Sequence, residues 1–531
     1  MVKRFLVLLG SKTKQRFDFD STGVMGQLGV MATPNIIFII TDQQRFDSIG
    51  RHDCPWMKTP HLDRLAKEGM SFRRAFCPGV TCVASRAAIF TGQYPHNTGV
   101  YSFDAWAHQR TWVDDLSDGG YFCANVGKMH FMPKNARGGF HDCIIVENPG
   151  AEASWSKGGE DDWGKFLNHH GITRPAIRRK TDSEWLKKYQ GLPWEYEERF
   201  HSDVFTGDAA VGFLRERRGD TPFFLEVGFP GPHEPWDPPQ RFIDLYAKTD
   251  WPEAVDRGND FDRRPPQHRA QQDLMAPQKT GELHHDAVID MPNATREDIE
   301  HMRRHYYANV SLVDEQVGKI LQALDETGQR ENTWIIFTSD HGELLGDHDL
   351  AYKWLMYEPV VHIPLIIAPP PGANIAVDRE TTDLVSLIDL GRTVLEMAGL
   401  PAPNRLEGIS LLPWVKGEPK TPRDYVFSED NYQVMIRSQD WKLVHYFGQE
   451  SGELYDLNND PDELTNLWDE PANRETRVEL QLAILEWLGT SNYFNAPERT
   501  RQSDSTPRRW PVHSPRLHGP VAPTARPPVR P

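Results

Sequence analysis

Pro34-Asn35-Ile36-Ile37-Phe38-Ile39-Ile40-Thr41-Asp42-Gln43-Gln44 is the stretch from which the architecture is read. Ile36–Ile40 is an unbroken apolar run rich in β-branched residues, with no alternation. That pattern belongs to a parallel strand buried on both faces. Thr41–Gln44 are polar and cannot continue it. Downstream, Thr59-Pro60 opens a helix that runs to Lys67, with threonine at the cap, proline in the first turn and Gly69 behind it. A buried strand followed by a capped helix is α/β grammar.

The same grammar recurs along the chain. Thr221–Gly228 reads as a strand leading into a loop that holds His233. Apolar residues at 299, 302, 306, 310, 313, 317, 320 and 324 are three or four apart, which predicts one long amphipathic helix ended by Gly328. Thr333–Thr338 is a second buried strand, running into Ser339-Asp340-His341-Gly342, and Ile363–Ala368 reads as one more. After about Pro401 the segments shorten. Asp424–Phe427, Gln433–Arg437 and Lys442–Tyr446 read as a small antiparallel sheet, followed by a helix over Arg474–Leu488.

The expected fold is therefore α/β, a large mostly parallel sheet flanked by helices, with a smaller C-terminal α+β domain carrying an antiparallel sheet. The boundaries are residues 1–30 as an extension, 31–400 as the principal domain, 401–490 as the smaller one and 491–531 as a tail. Residues 501–531 hold eight prolines, six arginines and one acid, the composition of a wrapping or disordered segment.

Composition removes several classes of function. With 38% hydrophobic and 11% aromatic residues, the 531-residue chain can fill a large core and is not a disordered protein. It has no apolar run of 18 residues or more, so no membrane-crossing helix is expected. A net charge of −17 repels a phosphate backbone, so nucleic acid is not the expected partner. Cys54, Cys77, Cys82, Cys123 and Cys143 are odd in number and form no CxxC pair, which fits a reducing, cytoplasmic setting. Met1–Gly10 is basic then apolar, but it is short and lacks a small-residue cleavage site behind it.

Two buried strands end in acids, at Asp42 and Asp340. In an open parallel sheet, functional residues gather at the carboxyl ends of the strands. If the two strands are neighbours, Asp42, Gln43, Asp340 and His341 meet, and three oxygen donors with one imidazole make a divalent-cation site. The imidazole moves the choice from Ca²⁺ alone to Ca²⁺ or Mn²⁺. Either acid taken singly is more simply the cap of a turn. Thr81-Cys82-Val83-Ala84-Ser85-Arg86 sets a cysteine where a helix begins and an arginine one turn in, a setting that stabilises negative charge at Cys82.

With these residues in order the chain resembles the sulfatase family of the alkaline-phosphatase superfamily. The resemblance rests on Thr41-Asp42-Gln43, Cys82–Arg86 with Thr91-Gly92, Gly127-Lys128-Met129-His130, Pro232-His233, and Ser339–Glu343 with Lys353 and Tyr357-Glu358. Glu453–Leu457 with Asn459-Asp460-Pro461 and Glu463 extends it to the C-terminal part. It implies a metal-dependent hydrolase of sulfate monoesters that releases an alcohol and sulfate. The motif cysteine, Cys82, would be oxidised by a formylglycine-generating enzyme. The resulting aldehyde hydrate would attack sulfur, and its second hydroxyl would let sulfate leave. Asp42, Gln43, Asp340, His341 and the group formed from Cys82 would hold the metal. Arg86 and His130 would hold the nucleophile, Lys128 and Lys353 the non-bridging oxygens, and His233 would protonate the leaving oxygen.

Two departures bear on the substrate. Ala84 stands where the commonest motif has proline. Gln43 stands where many sulfatases carry another aspartate, a pattern shared with phosphonate monoester hydrolases and choline-sulfatase-like enzymes. A sulfate monoester, a phosphodiester and a phosphonate monoester each carry one negative charge, so local charge does not separate them. The expected activity is that of a sulfatase on a small anionic ester, with a phosphonate monoester hydrolase or phosphodiesterase at the same site as the alternative. A non-catalytic metal-binding assembly protein, whose tail wraps a neighbour to give a homo-oligomer, is the reading from a different class. Trp155, Trp163, Trp185, Trp194 and the basic cluster 174–180 are candidates for the leaving-group pocket, with ordinary loop packing as the plainer account.

Overall fold

The computed structural model describes residues 33–147, 161–175, 191–256, 258, 260–275 and 289–495. The apolar run becomes strand β1, Asn35–Asp42, whose side chains are buried on both sides. Ile36, Phe38 and Ile40 enter the core beneath the Cys82–Thr91 helix, and Ile37 and Ile39 enter the opposite core beneath the long Arg296–Glu326 helix. An aliphatic layer on each face explains why β1 shows no polar alternation.

The remaining strands are β2 (Met70–Phe72), β3 (Ala75–Phe76), β4 (Phe122–Gly127), β5 (Asp142–Ile145), β6 (Phe223–Pro232), β7 (Thr333–Ser339), β8 (His362–Ile363), β9 (Leu365–Ala368), β10 (Arg379–Thr381), β11 (Val385–Ser386), β12 (Val426–Asp430), β13 (Gln433–Arg437), β14 (Trp441–Tyr446) and β15 (Gly452–Asp456). The main sheet has the order β10-β2-β9-β7-β1-β6-β4-β5. Strands β7, β1, β6, β4 and β5 run parallel, and β9 is antiparallel to both neighbours. Thr41 pairs with Ser339, so Asp42 at the end of β1 and Asp340 just after β7 emerge side by side.

A proline divides the expected strand Ile363–Ala368. Pro364 has no N–H to give, and the chain changes sheets there: β8 pairs with β3 in a three-stranded sheet, and β9 joins the main one. The 424–427 strand is displaced to Val426–Asp430, and the last helix runs on to Asn495. Residues 1–30 and 501–531 lie outside the described residues.

Strands β12–β15 form an antiparallel sheet, with one face on the main core through Val426, Met435, Val444, Tyr446 and Tyr455. The other face is covered by Leu480, Ile484 and Trp487, with Phe427 and Trp487 stacked at 4.2 Å. Among the described residues no helix is long and apolar enough to cross a membrane.

Glu453 sits inside this junction. It accepts from Tyr446 Oη at 2.5 Å and Tyr455 Oη at 2.6 Å, with His268 Nε2 at 3.2 Å. Burial raises its pKa, but His268 and the three hydrogen bonds outweigh that and bring it from 4.5 to about 2. A depressed carboxylate stabilises the fold above its unfolded value and loses that contribution as pH falls through the folded one. Roughly 3 kcal/mol should therefore disappear between about pH 4.5 and 2. Urea unfolding against pH is expected to show a shallower acid-side fall for Glu453→Gln than for wild type. Equal slopes would remove Glu453 from the account.

Candidate active site

Four parallel strands deliver the site, all at their carboxyl ends. Asp42 is the last residue of β1, and Asp340 follows β7, its amide donating to the Thr41 carbonyl at 3.1 Å. Lys128 follows β4 and His233 follows β6. Gly127, with φ +118°, makes the turn into Lys128, and a Cβ there would lie 2.0 Å from the Gly228 carbonyl oxygen. Only glycine fits that approach.

Asp42, Asp340 and His341 are completely buried, and their candidate ligand atoms lie within 4.8 Å of one another. His341 Nε2 is 3.6 Å from Asp42 Oδ1 and 3.7 Å from Asp340 Oδ1. The Gly342 carbonyl, 2.9 Å from His341 Nδ1, can only accept, so Nδ1 donates there and the ring presents Nε2 to the acids. Asp42 Oδ1 and His341 Nε2 have no hydrogen-bond partner. Two buried carboxylates beside an imidazole nitrogen that lacks a hydrogen-bond partner are a donor set suited to a divalent cation.

Gln43 adopts φ +69°. Its amide N–H donates to Asp340 Oδ1 at 3.0 Å, and its Oε1 accepts from Lys353 Nζ at 2.8 Å. Its Nε2 donates to Glu343 Oε2 at 2.5 Å and Glu234 Oε2 at 3.2 Å. Motif reading does not single out Glu234, and Glu343 was legible only as part of the Ser339–Glu343 run. Burial pushes Glu234 up to about 8 and Glu343 up to about 7, with Lys353 pulling both down. The two extra carboxyls therefore add less negative charge than their number implies.

Cys82 is the first residue of the Cys82–Thr91 helix and is 1% exposed. Burial raises its thiol pKa, but Lys353, Lys128 and His341 together bring it below the ordinary value. Its sulfur is not one of the mutually close ligand atoms, which come from Asp42, Asp340 and His341 alone among the described residues. Arg86, one turn on and fully buried, donates from Nε to Asp340 Oδ2 at 2.8 Å and from Nη1 to the Lys128 carbonyl at 2.5 Å. Ser85 Oγ donates to the Asp340 carbonyl at 2.6 Å, a contact the spacing did not signal.

Lys128 is ion-paired with Asp42. Burial opposes the Asp42 charge, yet the cations Lys128, Lys353 and Arg86 hold that carboxyl well below its usual range. Burial lowers the His233 ring and Lys353 lowers it further, so it is neutral here. Its Nδ1 faces the Glu234 carbonyl at 2.8 Å. His130 is lowered to about 3 by burial and Lys128, and its Nδ1 has no hydrogen-bond partner. All ten residues singled out from the sequence thus gather at one end of the sheet.

The tryptophans fare differently. Trp163 is fully buried in a separate cluster with Trp194 and Phe200, and Arg174 lies over its ring while paired to Asp161 at 2.5 Å. These residues pack a loop. Trp155, Trp185 and residues 176–180 lie outside the described residues.

The sequence profile of the sulfatase family matches residues 34–400, and that of the N-sulphoglucosamine sulphohydrolase C-terminal region matches residues 346–488. An arylsulfatase of Clostridium perfringens is 30% identical over 472 residues, covering 85% of this chain and 93% of that protein. A choline-sulfatase of Rhizobium meliloti is 28% identical over 525 residues, covering 94% of each. The crystal structure of the phosphonate monoester hydrolase of Agrobacterium radiobacter superposes with a TM-score of 0.73 at 25% identity, covering 86% of this chain and 96% of that one. With a family profile spanning most of its length, the chain belongs to the sulfatase family, sulfuric ester hydrolases of the alkaline-phosphatase superfamily.

Proposed function

We propose that this hydrolase cleaves a sulfate monoester with a nucleophile formed on Cys82, beside a divalent cation held by Asp42, Gln43, Asp340 and His341. The observation that carries this reading is the meeting of two buried carboxylates and one imidazole, in which Asp42 Oδ1 and His341 Nε2 lack a hydrogen-bond partner, with a cysteine, Cys82, whose thiol pKa, raised by burial, Lys353 and Lys128 lower. When bound, Ca²⁺ or Mn²⁺ would supply Lewis-acid stabilisation of oxygen charge. Formylglycine at position 82 would supply the nucleophilic hydroxyl.

The chain's own residues do the rest. Lys128 and Lys353 bind and orient the sulfate oxygens, where charge is concentrated in the transition state. Arg86 fixes Asp340 and the Lys128 backbone at once, so the cationic wall and the acidic pair keep their spacing. His130, neutral and unpaired at Nδ1, takes a proton from the nucleophile. His233, neutral in the free site, would take up a proton from solvent as the anion binds and then deliver it to the leaving oxygen. Burial and, after it, Lys353 lower this ring in the free site; bound sulfate brings a negative charge that offsets the Lys353 part.

A second reading, a phosphonate monoester hydrolase or phosphodiesterase at the same site, is favoured by the neutral Gln43 and by the likeness to the Agrobacterium radiobacter enzyme. The deciding experiment uses protein made alongside a formylglycine-generating enzyme. Mass spectrometry of the Cys82 peptide is expected to show the aldehyde. 4-Nitrophenyl sulfate should be turned over faster than a phenylphosphonate monoester or a phosphodiester. Faster phosphonate turnover would transfer the assignment to the second reading, and an unmodified thiol in an active protein would remove formylglycine from it.

A further inference from the structure

We propose that the β12–β13 hairpin is a positioning device for the active site, in which Asp430 holds the residue before Cys82 and Gln433 holds the residue after Lys353. The proposal rests on the site reading above and adds two residues to it.

Asp430 ends β12 and is 3% exposed. Its Oδ2 accepts from Thr81 Oγ1 at 2.9 Å, and its Oδ1 accepts from the Asn431 amide at 2.7 Å. Thr81 occupies the N-cap position of the Cys82–Thr91 helix, where threonine ordinarily bonds a first-turn amide. Here its side chain makes no cap bond. Asp430 has taken the hydroxyl instead, and a helix-local bond has become a tether to another sheet. The same strand end is fastened to the approach to Cys82 a second time. The Glu429 amide donates to the Pro78 carbonyl at 3.0 Å, and Glu429 bridges to Gly79.

Across the hairpin, Gln433 Nε2 donates to the Trp354 carbonyl at 2.6 Å. Trp354 has φ +78° and Tyr352 has φ +68°, conformations that cost a bulky L-residue energy and persist only where neighbours impose them. Lys353 lies between them, with Nζ 2.8 Å from Gln43 Oε1. One hairpin thus fixes the backbone on either side of the pocket, next to the nucleophile and next to the cation that faces it. Displacing a reacting group by about 1 Å can cost about a hundredfold in rate.

The test is a cycle of Asp430→Ala, Thr81→Val and the double variant. All are compared at equal formylglycine content by mass spectrometry of the Cys82 peptide, with 4-nitrophenyl sulfate as substrate. Each single variant is expected to lower kcat about 10- to 100-fold with KM little changed, and the double should lose no more than either single. Asp430→Asn can turn its oxygen to the Asn431 amide and donate its NH₂ to Thr81 Oγ1, so it keeps both bonds and should restore most of kcat. Gln433→Met keeps length but loses the donor, and should raise KM by loosening Lys353.

Additive losses, or a kcat that stays at the wild-type value while Tm falls, would overturn the proposal. So would an Asp430→Asn variant as slow as Asp430→Ala. If Asp430→Ala does not fold, Thr81→Val breaks the same bond without touching the sheet and carries the decision. Cys82→Ala separates the two levels. Turnover retained in that variant sinks the site reading and this proposal with it, whereas an inactive Cys82→Ala beside unaffected hairpin variants sinks the proposal alone.

Discussion

Cys82→Ala protein, made under the same maturation conditions as wild type, is expected to lose 4-nitrophenyl sulfate turnover by about 10⁴-fold or more, the scale seen when a nucleophile is deleted. The loss should fall on kcat. Lys128, Lys353 and Arg86 are held by Asp42, Gln43 and Asp340, not by the cysteine, so the anion-binding wall survives the change. Inorganic sulfate should accordingly still stabilise the variant against heat. The fold should tolerate the substitution, since alanine has a higher helix propensity than cysteine and the lost sulfur was not a mutually close ligand atom. Deletion of a merely buried thiol would lower Tm and leave kcat alone. Retained turnover would therefore move the nucleophile elsewhere.

The sequence showed the centre of the sheet more clearly than its margins, for a physical reason. β1 and β7 are aliphatic on both faces, so burial writes itself into composition, and the acids at their ends stand out against it. β4, Phe122–Gly127, gave no such signal. It carries Asn125, which is tolerated inside because Glu226 on β6 accepts its hydrogen bond, a pairing across 101 residues that no local pattern reveals. Lys128, His130, His233 and Lys353 follow strands or sit in loops, where periodicity is silent. Only the ordered resemblance to a family made them visible. The carboxyls behind Gln43 and the bonds from Asp430 and Gln433 depend on tertiary placement altogether. The tryptophans left two accounts open, because an aromatic that lines a pocket and one that packs a loop look alike in composition; Trp163 and Trp194 follow the plainer one.

Asp340→Asn is expected to fail twice, in activity and in stability. The wild-type carboxylate receives three N–H groups: Gln43 N at 3.0 Å and His341 N at 2.9 Å on Oδ1, and Arg86 Nε at 2.8 Å on Oδ2. An asparagine amide has one oxygen and one NH₂. If the oxygen meets the two amides, the NH₂ faces Arg86, and if it is flipped, the NH₂ faces the amides. Either way a donor meets a donor in a fully buried site. Arg86 also loses its anion, and breaking a buried pair from one side typically costs about 3–5 kcal/mol, which urea unfolding can read. Metal content should fall with the loss of one of two carboxylates, and turnover should fall with it. Arg86→Met in the same background separates the two effects. Removing the stranded guanidinium should recover much of the stability while restoring no activity, because the donor set stays short of a carboxylate and the wall short of a cation. If Arg86→Met destabilises the Asp340→Asn protein further, the pair is not what holds this corner of the site together. If activity returns, Asp340 serves the fold and not the reaction.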